Sequence, residues 1–136
     1  MLLVLHTMAF DFPEKFFFSD THEYVNSESA LVRIGISAFA VDQLGDIVFV
    51  DLPDKGSSIE KGISFGSVES VKAVEDIHAP ISGEVLEINS SLLDNPESLQ
   101  NDPHGKGWLL LVSPTEPNDL NQLMTAASYS QKVASQ

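Results

Sequence analysis

Three scarcities in the sequence exclude whole classes of protein. The chain contains no cysteine, which excludes disulfide bonds and thiolate metal sites. No run of apolar residues approaches the roughly 18 that a membrane-spanning helix requires. Basic residues are few, with 7 Lys and Arg against 20 Asp and Glu and a net charge of −13. An acidic surface repels phosphate backbones, so we expect neither nucleic acid nor membrane as a partner.

The N-terminal segment, MLLVLHT, is apolar but too short to be a secretory signal peptide. It contains no arginine, so it does not resemble a mitochondrial transit peptide either. We therefore expect a cytoplasmic protein of bacterial type. We assign residues 1–15 to an N-terminal tail that need not be ordered, with Met8 as an alternative start, and residues 16–136 to a single domain.

The middle of the chain is dominated by short β signals. Segments of strand length, rich in β-branched residues or with period-2 character, alternate with turn clusters containing Gly, Pro, Asn and Asp. Such a series predicts an antiparallel sandwich or flattened barrel. The predicted strands are Ala30–Ile36, Ile47–Leu52, Ile63–Ser70, Ala73–Ile77, Gly83–Ile88 and Trp108–Val112.

Short helices are predicted around this β body. Ser37 is a candidate N-cap for a helix to Asp46, with Gly45 where a C-terminal residue of left-handed αL conformation would lie. Short helical turns are expected over Ser91–Leu99, around Pro96. A C-terminal helix is predicted over Asn118–Val133, with Asn118 or Asp119 as its cap. Trp108 and the apolar run that follows it are expected in the core.

Lys72 lies between two β-like segments of similar length, in FGSVESVKAVEDIHAPISGEV. Gly62 precedes it by ten residues and Gly83 follows it by eleven. This symmetry favours a hairpin with Lys72 at its tip, although SVKA lacks the Asn-Gly or Asp-Gly of tight hairpin turns. A primary amine exposed on a rigid tip can be acylated, which would turn the side chain into a long flexible arm. A lone lysine in a turn is, however, usually just a solvated charge.

The segment Glu69–Ala73 resembles the lipoylation site of glycine cleavage system H proteins. Four further blocks are similar to the family in the same order, so the resemblance extends from about Phe16 to Val133. They are THEYV (Thr21–Val25), QLGDIVFVDLP (Gln43–Pro53), IHAPISGEVLEIN (Ile77–Asn89) and LLDNPESLQNDPHGKGWLLLV (Leu92–Val112).

The resemblance implies a non-catalytic carrier of the glycine cleavage system, with lipoic acid attached to Lys72 through an amide. The fold would be a barrel-sandwich hybrid of the lipoyl/biotinyl-carrier type, an all-β-dominated flattened barrel with short peripheral helices and a C-terminal helix. The arm would carry the aminomethyl group of glycine from glycine decarboxylase (P protein) to the aminomethyltransferase (T protein). Dihydrolipoyl dehydrogenase (L protein) would reoxidise the arm, and lipoate-attaching enzymes would load it, aided by Glu69.

The family also parks its loaded arm in a surface cleft, which the resemblance would place at Thr21, Glu23 and Asp76. A carboxylate there would favour the protonated form of a basic aminomethyl group. The chain departs from the family at Ala38 and Phe39, where a polar residue followed by Tyr or His is common. A hydrogen-bonding group beside the cleft would then be missing.

Three other functions are weighed against this one. A biotinyl carrier shares the hairpin, but its lysine is usually flanked by methionines, whereas Val71 and Ala73 flank Lys72. An H-like protein that donates lipoate or relays it without supporting glycine cleavage would share every motif. A metal-dependent hydrolase is disfavoured because the four histidines lack HExxH or HxH spacing; they are His6, His22, His78 and His104.

Overall fold

The computed structural model describes residues 10–27 and 29–136, which form two antiparallel sheets with short helices at their edges. The β-dominated architecture predicted from the sequence is confirmed. In chain order the strands are β1 Phe16–Phe18, β2 Glu23–Asn26, β3 Val32–Ile36, β4 Ile47–Asp51, β5 Ser58–Ile59, β6 Ser64–Ser70, β7 Val74–His78, β8 Gly83–Ile88, β9 Leu110–Pro114 and β10 Met124–Thr125.

The larger sheet has seven strands in the order β10-β1-β2-β3-β9-β8-β5. Its centre is the pairing of β3 with β9, where Ile34 lies opposite Leu110 and Val32 opposite Val112, all fully buried. On the next strand Tyr24 lies opposite Gly35, and a Cβ at Gly35 would come within 2.4 Å of the tyrosine ring. Glycine is therefore required there by the close approach of the ring.

The smaller sheet has three strands in the order β4-β6-β7. The strands β6 and β7 form the predicted hairpin, with Glu69 opposite Val74 as the last pair before the bend. The strand β4 pairs with the other side of β6 and contains a β-bulge between Ile47 and Phe49. This sheet brings Lys72 to one end of the molecule.

Four α-helices and one 3-10 helix complete the described structure. They are α1 Ala38–Leu44, α2 Ser91–Asp94, α3 Glu97–Asn101, the 3-10 helix Pro117–Gln122 and α4 Ala126–Ala134. The predicted cap of α1 is confirmed, since Ser37 Oγ accepts a hydrogen bond from the Ala40 N–H. Gly45 ends α1 at φ 81° and ψ −141°, so its φ is positive as predicted but its ψ lies outside the αL region.

The predicted C-terminal helix over Asn118–Val133 was wrong in its first half. That stretch contains the 3-10 helix and then the short strand β10, and α4 begins only at Ala126. The helix is capped by Thr125, whose Oγ1 accepts from the Ser128 N–H at 3.2 Å. The β10 pairing with β1 aligns Met124 with Phe18 and Thr125 with Phe17, and this long-range contact determines where the helix can begin.

The interior consists of two clusters with different chemistry. The aliphatic core lies between the two sheets, and its buried members are all Val, Ile, Leu or Ala, among them Ile34, Val68, Ile77, Leu92, Leu99, Leu109 and Leu110. The aromatic cluster joins β1 and β2 to α4, with Phe16, Phe18, Tyr24 and Tyr129 as its buried rings. Phe18 and Tyr129 stack with centroids 4.3 Å apart and an angle of 4° between the rings.

The prediction that Trp108 lies in the core was wrong, whereas the apolar run after it is buried as predicted, at Leu109, Leu110 and Val112. Trp108 is partly exposed, and the Arg33 guanidinium carbon lies 5.1 Å from the centre of its ring. This cation–π contact stabilises the tryptophan ring at the surface. The strand β9 begins at Leu110, two residues later than predicted.

Part of the predicted N-terminal tail contacts the body of the protein. Phe12 packs edge-on against Tyr129, with centroids 5.0 Å apart, and Phe10 packs against Phe39 at 5.8 Å. The first nine residues of that tail lie outside the described part of the chain. The boundary between tail and domain at residue 16 stays a prediction. Within the described residues no helix is long and apolar enough to cross a membrane.

Candidate functional site

Lys72 lies at the bend between β6 and β7, and its side chain is exposed. The Ser70 N–H donates to the Ala73 carbonyl at 2.8 Å, which closes the bend around Val71 and Lys72. Among the described residues the one ion pair within 4.0 Å joins Lys55 to Glu87, so no carboxylate there pairs with the Lys72 amine. The amine is thus available to react with another molecule.

Two groups hold the backbone of the bend in place. The Ser70 hydroxyl, on a residue only 4% exposed, accepts hydrogen bonds from the N–H groups of Lys72 at 3.3 Å and Ala73 at 3.2 Å. The Val71 N–H donates to the Asp46 carbonyl at 3.0 Å, which ties the bend to the loop after α1. A serine side chain and a neighbouring loop therefore take the place of the Asn-Gly type turn that the sequence lacks.

A cleft of about 420 Å³ opens beside Lys72 and receives residues from both sheets and from α1. Buried aliphatic side chains form its interior, namely Ile36, Leu44, Val68 and Ile77, with the partly buried Phe39 and Ala40 beside them. Ala73 and a set of polar side chains complete its lining; the polar members are Thr21, His22, Glu23, Gln43, Glu75, Asp76 and Gln136. The structure thus brings Thr21, Glu23 and Asp76 together with Lys72, as the sequence predicted.

Glu23 is the buried carboxylate of the cleft, with only 3% of its surface exposed. Its Oε1 accepts hydrogen bonds from the hydroxyls of Ser19, at 2.9 Å, and Thr21, while its Oε2 accepts from the His78 N–H at 3.0 Å. Burial raises the pKa of the Glu23 carboxyl, and the hydrogen bonds from Thr21, His78 and Ser19 oppose that rise. A cation placed in the cleft would favour the ionised form of this carboxyl.

His22 lines the same cleft and was not singled out from the sequence as a site residue. It adopts a positive φ of 79°, which is uncommon for a residue with a side chain. Its Nδ1 lies 2.6 Å from the Tyr129 hydroxyl, which in turn lies 2.7 Å from the Ser37 hydroxyl. Because Tyr129 is 107 residues away along the chain, no local pattern could reveal this connection.

The protonation states along this chain of hydrogen bonds follow from its burial. Burial lowers the pKa of His22, and the charge of Lys132 lowers it further. Burial likewise raises the pKa of Tyr129 to about 12. A neutral imidazole with a lone pair on Nδ1 can accept from Tyr129, which can then accept from Ser37. His22, Tyr129 and Ser37 are therefore neutral groups on the side of the cleft next to α1, whereas Glu23, Glu75 and Asp76 contribute carboxyl groups elsewhere in its lining.

Phe39 lies on the same side of the cleft as His22, with its ring 5.3 Å from the imidazole. It is partly buried and packs against the aromatic cluster. Phe39 therefore contributes an apolar ring to the wall of the cleft. The imidazole of His22 is the polar group that packs against this ring.

A profile of the family described as "Glycine cleavage H-protein" matches residues 16–136. The chain belongs to this family. It is 69% identical over 128 residues to a "Glycine cleavage system H protein" of Prochlorococcus marinus, covering 94% of this chain and 99% of that protein. An equally named protein of Synechococcus sp. is 66% identical over 126 residues, covering 93% of this chain and 98% of that protein.

A glycine cleavage system H protein from Mycobacterium marinum, known from its crystal structure, has the same fold. It superposes with a TM-score of 0.83 at 38% identity, covering 90% of this chain and 98% of that one. The family prediction made from five sequence blocks is confirmed. The function of the chain is that of a lipoyl carrier of the glycine cleavage system.

Proposed function

We propose that Lys72 is the residue to which lipoic acid is attached, through an amide between its Nζ and the lipoyl carboxyl group. The observation that carries the proposal is the exposed amine of Lys72 on a backbone-anchored bend that opens directly onto a cleft. Among the chain's seven Lys and Arg residues, Lys72 is the one that lines this cleft.

The residues of the cleft fit a lipoyl group in shape and polarity. A lipoyl chain is mostly methylene, and the aliphatic interior at Ile36, Leu44, Val68 and Ile77 offers it an apolar surface. The Lys72 stem passes close to the loop after α1, since its Cε would lie 3.9 Å from a Cβ added at Gly45. The arm therefore starts next to the surface that could shelter it.

Attachment requires an activated acyl group, which an adenylate or an acyl thioester would supply. The Lys72 ammonium first loses a proton, and the neutral amine attacks the acyl carbonyl carbon. The new C–N bond forms while the C–O or C–S bond to the activating group breaks. The nitrogen then gives up a second proton, leaving a neutral amide and removing one positive charge from the tip.

The lipoyl group, when bound, supplies a dithiol–disulfide couple that can carry the aminomethyl group of glycine. The chain's own residues would hold that cargo: the carboxylates of Glu23 and Asp76 favour a cationic amine beside them. Phe39 and the aliphatic interior would keep water from it. This H protein contributes position and shelter to the reaction, and its partners contribute the catalytic groups.

The proposed partners are the enzymes that load, unload and reoxidise the arm. They are glycine decarboxylase, the aminomethyltransferase, dihydrolipoyl dehydrogenase and the lipoate-attaching enzymes, and we place all of them in the bacterial cytoplasm. The net charge of −13 suits docking against basic surfaces. The carrier itself is proposed to be non-catalytic.

The decisive experiment measures the intact mass of the protein after incubation with lipoate, ATP and a lipoate ligase. The natural sequence should gain one lipoyl increment, and Lys72→Arg should gain none because a guanidinium does not form the amide. Lys106→Arg, at another exposed lysine, is the matched control and should be fully modified. A lipoyl increment on the Lys72→Arg protein would contradict the proposal.

A second measurement separates a glycine cleavage carrier from a protein that only relays lipoate. The lipoylated protein is mixed with glycine decarboxylase, and the exchange of labelled bicarbonate into the glycine carboxyl group is followed. A carrier supports the exchange in proportion to its concentration. No exchange above the unlipoylated control would favour the relay function.

A further inference from the structure

The bend at Lys72 is surrounded by exposed apolar side chains. We define the tip patch as Val48, Phe49, Val71 and Val74, which are 48%, 51%, 75% and 64% exposed. Two other large apolar side chains of the described residues are comparably exposed, Ile63 and Leu93. Clustering of this kind marks an interaction site more often than scattered exposure does.

The β-bulge in β4 helps to build the tip patch. Regular alternation would send one of Val48 and Phe49 into the core, but both are exposed, while Ile47 and Val50 on either side are buried. The bulge lets two neighbouring side chains point outward together. Phe49 then lies opposite Glu69, and Glu69 lies opposite Val74, so the three form one row across the sheet.

The charges around the tip patch are almost all negative. Exposed carboxylates are contributed by Asp46, Asp51, Glu69, Glu75 and Asp76. Lys72 is the only Lys or Arg in the stretches 46–51 and 64–78, and acylation would remove its charge. A complementary surface would therefore have an apolar centre surrounded by basic side chains.

We propose that the tip patch is the docking surface for the enzyme that transfers a lipoyl or octanoyl group onto Lys72. This inference rests on the proposed attachment at Lys72. Five bonds of about 1.5 Å separate Cα from Nζ, so the extended side chain reaches only about 6 Å from the bend. The active site of an acylating enzyme must approach that closely, and it then contacts Val71 and the row from Phe49 to Val74. Partners that meet the acylated arm have no such requirement.

The patch, with Glu69 at its middle, also gives the acylating enzyme a means of recognition. A carboxylate between two apolar side chains, Phe49 and Val74, is well placed for a paired hydrogen bond with an arginine of the enzyme. The prediction that Glu69 aids recognition thus becomes part of a larger surface. Apolar contacts supply affinity, and the carboxylate fixes the register of the bend in the active site.

The test measures the initial rate of lipoylation by a purified lipoate ligase as a function of the concentration of the unlipoylated protein. Phe49→Ser should raise the half-saturating concentration by about tenfold or more, because it removes a large apolar contact. Val74→Ser should raise it about threefold to tenfold. The rate at saturation should change by less than about threefold in both, since neither side chain is the nucleophile.

Ile63→Ser is the matched control, since Ile63 is 57% exposed and lies at the far end of the β6–β7 hairpin. Its half-saturating concentration should stay within about twofold of the natural value. Thermal unfolding followed by circular dichroism checks that each variant is folded. If Phe49→Ser is not folded, the half-saturating concentration of Val74→Ser alone tests the proposal. The proposal would be overturned if Phe49→Ser and Val74→Ser are folded and their half-saturating concentrations equal that of the natural sequence.

A second readout assigns the surface to the acylating enzyme. The variants are fully lipoylated at high concentration and then used in the decarboxylase exchange assay, where half-saturation should shift less than in lipoylation. Equal shifts in both assays would overturn that assignment. Modification of Lys72→Arg would instead refute the attachment site, an outcome that is distinct from any result with the patch variants.

Discussion

The aliphatic core and the aromatic cluster stabilise the same fold by different means. The core contains only Val, Ile, Leu and Ala as buried members and has no group that ionises. The aromatic cluster also contains polar atoms, since Tyr129 bonds His22 and Ser37 while Tyr24 donates to the Pro103 carbonyl at 2.8 Å. The stability of the aliphatic core depends on how well its volume is packed. The stability of the aromatic cluster depends on satisfied hydrogen bonds as well.

His104 makes the contrast sharper. Its imidazole packs among aromatic rings, 5.6 Å from Phe16 and 5.5 Å from Tyr24, and its Nε2 accepts the Ala38 N–H at 3.0 Å. It thereby satisfies a free donor at the start of α1, the helix that contributes one wall of the cleft. His104 and His22 thus place titratable groups on the aromatic side of the molecule, which should respond to pH where the aliphatic core does not.

The largest expected effect comes from opening a cavity in the aliphatic core. Leu110 is fully buried at the centre of the larger sheet, and Leu110→Ala should lower the free energy of unfolding by about 2–5 kcal/mol at every pH. Urea denaturation measures this change. Leu93→Ala, at a half-exposed position, is the control and should cost less than about 0.5 kcal/mol. A loss below 1 kcal/mol for Leu110→Ala would mean that the core can collapse around the gap.

An intermediate effect on stability is expected when a single hydroxyl oxygen is removed from the aromatic cluster. Tyr129→Phe keeps the stacked ring but leaves His22 Nδ1 and the Ser37 hydroxyl without their partner, so it should cost about 1–3 kcal/mol. Tyr24→Phe loses one hydrogen bond, to Pro103, and should cost less. Urea denaturation of both variants tests the order. If the two costs are equal, the second hydrogen bond of the Tyr129 hydroxyl adds nothing measurable to the stability.

The smallest expected effect is a dependence of stability on pH that arises in the aromatic cluster. Burial lowers the pKa of His104, so the unfolded chain binds a proton at this residue more readily than the folded protein does. Acidification through the ordinary imidazole pKa of about 6.5 therefore favours unfolding, and the contribution is fully present above that pH. His22, whose pKa is also lowered, acts in the same direction.

Urea midpoints between pH 7.5 and pH 5.5 test this dependence. The natural protein should lose stability over that range, and His104→Gln should lose less, because the Gln oxygen can accept from Ala38 without titrating. The raised pKa of Glu23 acts in the opposite sense, since a carboxyl that holds its proton more tightly when folded gains stability as the pH falls. If the urea midpoint of His104→Gln falls with pH as steeply as that of the natural protein, His104 does not contribute to the pH dependence.

The sequence predicted those parts of the fold that local chemistry determines. The hairpin arms, the strand Gly83–Ile88 and the Ser37 cap were found, because alternation and capping are local signals. The strands β1 and β2 were not predicted, because FFF shows no alternation and the two strands are only three and four residues long. The start of α4 was also missed, because the Leu120–Met124 stretch looks helical by its spacing yet ends in a strand paired with β1.

The candidate site, like the fold, was predicted from the sequence only in part. Lys72, Thr21, Glu23 and Asp76 were named from motif resemblance, and they do line one cleft. The bend itself was not expected from turn propensity, because the Ser70 hydroxyl and the Asp46 carbonyl hold it from outside the turn residues. His22 was missed because its role depends on Tyr129, on a helix at the other end of the sequence.

The bond from Val71 to Asp46 makes Lys72 a fixed pivot. Because this bond and those from Ser70 tie the bend to the body of the protein, the points that the arm visits lie within a sphere centred on the Lys72 Cα, and the side chain and its acyl extension set the radius of that sphere. Each partner must then dock so that its reaction centre lies inside that sphere, whatever its own shape. Lengthening or shortening the tether would select among partners without altering a single contact in the fold.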